Sequence, residues 1–128
     1  MSTTGSDQGL IAEWRDLLAR HARVNDALEK ELQTRHGLSV SEFEALQRIA
    51  ENAEDGCRLQ RLVDDVHMSQ SALSRLVSRL EDRGLVARAS CPEDRRGMKA
   101  CLTDDGRRTL AEAAPTQADV LRRVLADA

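Results

Sequence analysis

The fold of this chain of 128 residues is decided by one stretch, Ser69-Gln70-Ser71-Ala72-Leu73-Ser74-Arg75-Leu76-Val77-Ser78-Arg79-Leu80. Apolar residues recur in this stretch at helical spacing, so that one side of the predicted helix faces a core. They are Leu73, Leu76, Val77 and Leu80. Ser69 is a candidate N-cap, and Gly84 can adopt the left-handed conformation that ends a helix. The pattern therefore predicts an amphipathic helix with well-defined ends.

The opposite side of the predicted helix is polar and cationic. Small hydroxyl and amide side chains allow bases to approach closely, and arginines bind guanine edges or phosphate oxygens. These properties are typical of a helix that enters the major groove of DNA. The expected contact residues are Ser69, Gln70, Ser71, Ser74, Arg75 and Arg79.

The segments on either side complete a DNA-binding motif. Residues 58–66 carry an apolar stripe that predicts a preceding helix, and residues 67–69 form a tight turn between the two helices. Two strand-like runs, residues 85–91 and 98–102, enclose a polar tip that is typical of a β-hairpin. Arginines at such a tip suit the narrow minor groove, and Asp94 could hold Arg96 extended by an ion pair. The expected DNA contacts of this wing are Asp94, Arg95 and Arg96.

These residues resemble the MarR family of winged helix-turn-helix transcription regulators. The resemblance rests on residues 69–80, the helix exit at 80–86, Arg88, the Asp94-x-Arg96 motif and residues 102–106, and it extends loosely from Trp14 to the C-terminus. It implies a homodimer whose N- and C-terminal helices form the interface. It also implies binding to pseudo-palindromic operators, usually as a repressor that a small ligand or thiol oxidation releases. Family members normally have another helix after the first C-terminal one, and it completes the dimer interface. The given sequence ends at Ala128, so a shortened dimer interface is expected.

The expected fold is mainly α with a small β-hairpin wing, a winged helix-turn-helix with N- and C-terminal dimerisation helices. Residues 1–9 are expected to be a disordered leader, 10–36 the N-terminal dimerisation helix, 37–103 the DNA-binding domain and 104–128 the C-terminal dimerisation helix. Ser41 and Glu44 have capping-box spacing for the helix that follows the first one and ends near Asn52. Pro115 predicts either a kink or a break in the last helix. The expected contacts with a second copy are Leu10, Trp14 and Leu17.

The charge distribution favours DNA binding although the net charge is -3. Residues 58–108 contain 11 Lys and Arg against 8 Asp and Glu, whereas residues 1–57 contain 6 against 11. The cations therefore concentrate in the predicted DNA-binding block, where they can neutralise phosphates. The alternative is a protein-interaction module that keeps this scaffold and binds a partner through its acidic N-terminal half. Sequence preference and a steep salt dependence of DNA binding would distinguish the two.

The chain offers few candidates for other chemistry. No nucleophile elbow, phosphate loop or metal-ligand spacing occurs, so we expect no enzyme activity, catalytic residue, metal or cofactor. No apolar stretch approaches the roughly 20 residues of a membrane span, and no signal peptide is evident, so a cytoplasmic location is expected. Three cysteines suggest a second hypothesis, a thiol-based redox-sensing regulator in which Cys91 and Cys101 approach each other across the hairpin. A redox-active thiol enzyme is disfavoured because no CxxC or neighbouring base is present.

A small-molecule effector would need a pocket between the helices and the winged domain. The residues expected to line this pocket, largely by family analogy, are Trp14, Leu18, His21, Phe43 and Leu46. The alternative is that these residues only fill the core. The scarcity of aromatic residues, one Trp and one Phe, argues against a large planar ligand.

Overall fold

The computed structural model describes the backbone of residues 3–51, 57–91 and 94–126, and the side chains of residues 7–51, 58–89 and 99–126. The described elements are, in chain order, α1 (Thr3–His36), α2 (Val40–Ala50), β1 (Cys57–Arg58), α3 (Leu59–Val66), α4 (Gln70–Asp82), β2 (Val86–Cys91), β3 (Asp94–Leu102) and α5 (Asp104–Leu125). The expectation of a mainly α chain with a β-hairpin wing is confirmed. None of the helices in the described ranges combines the length and apolar character that crossing a bilayer requires.

Helix α1 begins earlier than the sequence pattern predicted. Residues 3–9 are helical, whereas they were expected to be a disordered leader. Once a helix has formed, each added residue gains a backbone hydrogen bond without repeating the cost of nucleation. The polar sequence of residues 3–9 contains no proline, so α1 can extend through it.

Helix α2 begins two residues before the predicted start and ends at Ala50 rather than near Asn52. Its capping box uses Ser39 and Glu42: the Ser39 hydroxyl accepts from the Glu42 amide at 3.0 Å, and the Glu42 carboxylate accepts from the Ser39 amide at 2.8 Å. The same spacing occurs at Ser41 and Glu44, and the prediction chose that pair wrongly. The buried Glu42 also accepts a hydrogen bond from Arg83 at the end of α4, a long-range contact that sequence spacing does not show.

The hydrophobic core lies beneath the helix-turn-helix. Helices α3 and α4 are joined by a turn in which His67 has the left-handed conformation, with φ of 56°. Side chains from α1, α2, α3, α4 and α5 meet in one cluster. Its largest fully buried members are Leu32, Leu38, Phe43, Leu46, Ile49, Leu62, Leu73, Leu76, Val77, Leu80 and Val120. The core is aliphatic apart from Phe43, as the composition requires.

The wing belongs to a three-stranded antiparallel sheet with strand order β1-β3-β2. Strands β2 and β3 pair in register from Val86 opposite Leu102 to Ser90 opposite Met98. The added strand β1 pairs Cys57 with Ala100. Its two residues are too few to produce a period-two pattern, so β1 is not evident from the sequence.

A compact junction joins the end of α4 to the beginning of α5. The Thr103 amide donates to the Leu85 carbonyl at 3.1 Å, and the Thr103 hydroxyl donates to the Gly84 carbonyl at 2.6 Å. The same hydroxyl accepts from the Gly106 amide at 3.0 Å and so caps α5, as predicted for Thr103. A Cβ atom on Gly106 would lie 2.0 Å from the Leu85 carbonyl oxygen. Only glycine therefore fits at this position.

Helix α5 runs through Pro115 without a break. The sequence predicted either a kink or a break at Pro115, and the structure excludes the break. Pro115 and Ala111 lie on the exposed side of the helix, where water can solvate the carbonyl that proline leaves without a donor. The buried side packs against α1, and there the His36 ring nitrogen lies 2.8 Å from the Thr116 hydroxyl. This contact ties α5 to α1 directly after the proline.

Candidate nucleic-acid interface

Local contacts determine both ends of α4. The Ser69 hydroxyl accepts from the Ala72 amide at 3.2 Å, as predicted for the N-cap. At the other end Gly84 has φ of 76°, and its amide donates to the Glu81 carbonyl at 2.9 Å. The Leu85 amide donates to the Leu80 carbonyl at the same distance. This pair of bonds forms a Schellman motif, which satisfies two carbonyls at the end of the helix.

The face of α4 opposite the core is accessible to a ligand. The apolar stripe of the helix is buried, whereas most of the predicted DNA-contact residues are exposed. The exposed ones are Ser69, Gln70, Ser71, Arg75 and Arg79, and Ser74 is half-buried. These side chains occupy one continuous surface along the helix. We call this surface, residues 69, 70, 71, 74, 75 and 79, the polar face of α4.

Arg75 and Arg79 are distinguished from neighbouring arginines by their lack of partners. Within the described side chains, neither forms an ion pair or a hydrogen bond. By contrast, Arg83 lies 3.3 Å from the Glu42 carboxylate, and Arg88 lies 3.6 Å from the Glu81 carboxylate. Two adjacent turns of α4 therefore present guanidinium groups whose charges no carboxylate of the described chain neutralises. Such groups are available for phosphate oxygens or base edges.

Arg88 was not predicted to act on α4. Its guanidinium donates to the Ser74 carbonyl at 3.0 Å and to the Ser78 hydroxyl at 2.7 Å. The sequence does contain a pattern that places Arg88 on the inner side of β2, because residues two apart in a strand point to the same side. Val86 faces the core, so Arg88 also points inward, toward the helix that β2 follows.

The wing residues Asp94, Arg95 and Arg96 lie on β3 at the end of the sheet farthest from α5. The register pairs Ser90 with Met98 but Cys91 with Asp94, so Arg95, Arg96 and Gly97 form a bulge between the two pairs. Their side chains are outside the described residues, and so is the predicted Asp94–Arg96 pair. The backbone nevertheless places both arginines at the tip of the wing.

The register contradicts a disulfide across the hairpin. Cys101 lies opposite Ala87, and Cys91 lies opposite Asp94. Four residues of strand separate Ala87 from Cys91, a distance of about 13 Å, whereas bridged cysteines need Cα atoms within about 7 Å. The hypothesis that Cys91 and Cys101 approach each other is therefore wrong for this fold. Within the described side chains Cys101 is a free, half-buried thiol.

Among the described residues, the five predicted to line an effector pocket have different surroundings. Phe43 and Leu46 are fully buried in the core, whereas Trp14 and Leu18 are 58% and 47% exposed on α1. His21 alone lines a cleft of about 320 Å³ between α1, α2 and the turn after α3. The other lining residues are Val24, Asn25, Leu28, Val40, Glu44, Arg48, Asp65, Val66 and His67. No group of three or more His, Cys, Asp or Glu residues in the described part of the chain could hold a metal ion.

The fold is that of a winged helix-turn-helix protein. It combines a helix-turn-helix, an exposed cationic face on the second of these helices and an antiparallel wing. Three solved structures share this architecture, and two of them, AbsC and Sco3205, are MarR family transcriptional regulators. AbsC from Streptomyces coelicolor is 34% identical with a TM-score of 0.84, covering 91% of this chain and 78% of AbsC. Sco3205 from the same organism, solved in complex with DNA, is 32% identical with a TM-score of 0.85. The match covers 95% of this chain and 75% of Sco3205. CouR from Rhodococcus jostii RHA1, solved with p-coumaroyl-CoA, is 32% identical with a TM-score of 0.76. The match covers 84% of this chain and 74% of CouR.

Sequence comparison gives the same family. The family model described as MarR family matches residues 36–97. The curated HTH-type transcriptional regulator MhqR of Bacillus subtilis (strain 168) is 28% identical over 95 residues, and the match covers 74% of this chain. The match spans only 63% of the length of MhqR. The chain belongs to the MarR family of DNA-binding transcription regulators, which confirms the resemblance drawn from its sequence.

Proposed function

We propose that this protein is a transcriptional repressor that binds a pseudo-palindromic operator as a homodimer and acts in the cytoplasm. The observation that carries the proposal is the polar face of α4, where exposed Arg75 and Arg79 have no partner within the described residues. In this arrangement α4 enters the major groove, and the wing reaches the adjacent minor groove. Occupation of the operator then blocks transcription.

The side chains of the polar face have complementary roles in this proposal. Ser69, Gln70 and Ser71 are short or neutral, so they allow the N-terminus of α4 to approach the bases and phosphates closely. Arg75 and Arg79 bind guanine edges or phosphate oxygens from the following turns. Arg95 and Arg96, with Asp94 beside them, supply the wing contacts in the minor groove.

The dimer is supported by an uncovered apolar surface on α1. Five large side chains of this helix are exposed in the described chain: Leu10 63%, Ile11 46%, Trp14 58%, Leu17 54% and Leu18 47%. They include Leu10, Trp14 and Leu17, the three residues that the sequence pattern predicted to contact a second copy. A cluster of this size favours burial against another surface. A second copy supplies the same surface about a twofold axis, and a twofold dimer matches the symmetry of a pseudo-palindrome.

Selection of bound sequences from a pool of random duplexes tests the function directly. We expect enrichment of two inverted half-sites with centres about 10 bp apart, because each recognition helix of a dimer enters one major groove. Affinity for the selected site should fall steeply with salt, and sedimentation should show a dimer. A protein-interaction module would show neither sequence preference nor a steep salt slope. A pool that stays unenriched at low ionic strength would therefore refute the proposal.

We further propose that a small ligand in the cleft beside His21 releases the operator. The cleft has an apolar floor and several polar groups, a combination that suits a small organic molecule. It adjoins His67, in the turn that leads into α4, so an occupant can favour a dimer that no longer matches the spacing of the half-sites. CouR, solved with p-coumaroyl-CoA, is a relative that binds a ligand.

A thermal-shift screen with small organic acids tests this site. A ligand at 100 times its Kd should stabilise the wild type by about 2.7 kcal/mol. Asn25→Trp, which fills the cleft, should abolish the shift, whereas Asn25→Ala should retain it. An acid that releases the operator and shifts the melting temperature of Asn25→Trp as much as that of the wild type would place the ligand elsewhere.

A further inference from the structure

Arg88 connects the wing to the recognition helix. It lies on β2, and its side chain is only 23% exposed. One terminal nitrogen donates to the Ser74 carbonyl at 3.0 Å and to the Ser78 hydroxyl at 2.7 Å, and Nε lies 3.6 Å from the Glu81 carboxylate. A single side chain therefore contacts three successive turns of α4.

The three contacted residues lie along one flank of α4. Spacings of four and three residues place Ser74, Ser78 and Glu81 in a row on a helix. The row lies between the buried stripe and the side that carries Arg75 and Arg79, each of which follows a contacted serine in sequence. Contacts on this flank therefore oppose rotation of α4 about its own axis. Such a rotation would turn both free arginines away from their positions.

The ion pair has a second consequence for the charge of the recognition helix. Glu81 is 45% exposed and lies next to Asp82, where α4 ends. Without Arg88 its carboxylate would stand unpaired on a helix that approaches phosphates. The repulsion between like charges is felt over about 8 Å at physiological salt. Arg88 therefore neutralises a charge that opposes binding.

We propose that Arg88 is a positioning residue for DNA recognition: it holds the rotation of α4 relative to the wing and neutralises Glu81, without itself contacting DNA. The inference rests on the proposed function of α4 as the recognition helix. A fork-shaped guanidinium suits this role because it bonds in several directions at once, whereas the ammonium group of lysine acts as a point charge.

Binding of Arg88→Ala to the selected operator, over a range of salt concentrations, tests the inference. We expect about a tenfold loss of specific affinity, the size expected when hydrogen bonds to a charged group are removed. The slope of log K against log salt should change by much less than about 1, because only the screened repulsion from Glu81 depends on salt. A residue that touches a phosphate would lower that slope by about 1 when removed. Arg107→Ala is the matched control, because Arg107 also pairs with a carboxylate and donates to a carbonyl, but away from α4.

Two further variants separate the two parts of the role. Glu81→Gln introduced into Arg88→Ala should recover part of the lost affinity, because the unpaired charge is removed. Arg88→Lys should also recover part, because it restores the charge but not the fork. If Arg88→Ala is too unstable to measure, Ser78→Ala supplies the test, since it removes one contact and inserts a strong helix former. We expect it to lower affinity about threefold, as loss of one hydrogen bond does.

Several results would overturn the inference. Wild-type affinity of Arg88→Ala would show that the contacts do not matter for binding, and wild-type affinity of Ser78→Ala would show that this contact does not orient α4. A reduced salt slope, together with no recovery from Glu81→Gln, would make Arg88 a direct DNA contact. These outcomes differ from failure of the proposed function, in which the wild type itself prefers no sequence.

Discussion

Arg75→Ala should weaken binding to the selected operator by about 1–3 kcal/mol per contact, and the same is expected of Arg79→Ala. Both arginines are exposed on α4 without a partner in the described chain, so their removal breaks no contact of the fold. In a symmetric dimer each substitution occurs twice. The double variant should therefore lose nearly all sequence preference. Fluorescence anisotropy at one fixed salt concentration measures the change.

The control for these variants is Arg123→Ala. Arg123 is an exposed arginine on α5, also without a partner among the described side chains, so its removal changes the net charge by the same amount. It should leave specific affinity almost unchanged, and the stability of all three single variants should stay within about 0.5 kcal/mol of the wild type. Equal affinities for the wild type, Arg75→Ala and Arg79→Ala would contradict the docking of α4 in the major groove.

Gly106→Ala should lower the free energy of unfolding by about 3 kcal/mol, the upper end of the usual cost of overpacking. The added Cβ would lie 2.0 Å from the Leu85 carbonyl oxygen and 3.0 Å from its carbon. Both are backbone atoms, and Leu85 is tied to Thr103 by a hydrogen bond, so neither can move aside cheaply. The melting temperature measured by circular dichroism should fall by roughly 10 °C.

Gly9→Ala provides the matched comparison for this substitution. Gly9 also lies within a helix, and a Cβ there would meet nothing within 4 Å. Alanine is favoured over glycine inside helices, so this variant should gain about 0.5–1 kcal/mol. The two substitutions are chemically identical and are expected to change stability in opposite directions. A Gly106→Ala protein as stable as the wild type would mean that the junction between Leu85 and α5 can spread apart at little cost.

Local sequence patterns were sufficient to predict α4 and its surroundings. The stripe from Leu73 to Leu80, the cap at Ser69 and the left-handed Gly84 all appear in the structure as expected. Each depends on residues at most a few positions apart, so short-range spacing contains the whole signal. The exposure of Arg75 and Arg79 followed from the same period, since residues opposite a buried stripe face solvent.

Features that depend on distant parts of the chain were missed. The choice of Ser39 over Ser41 as the cap of α2 is accompanied by the contact between Glu42 and Arg83, which are 41 residues apart. Gly106 appeared in the sequence only as part of a family motif, because its crowding comes from a carbonyl 21 positions away. The five pocket residues shared helical spacing with the core, and spacing alone could not separate Phe43, which is buried, from Trp14, which is exposed.

The hydrogen bonds between Thr103 and the Gly84–Leu85 pair connect the end of α4 directly to the beginning of α5. A change in the orientation of α5 would therefore change the orientation of α4 as well. In the proposed dimer, a signal that alters operator binding would therefore act by pivoting each subunit as a whole. A small pivot at the proposed contact between the two copies would then cause a larger displacement at the distant ends that meet the half-sites.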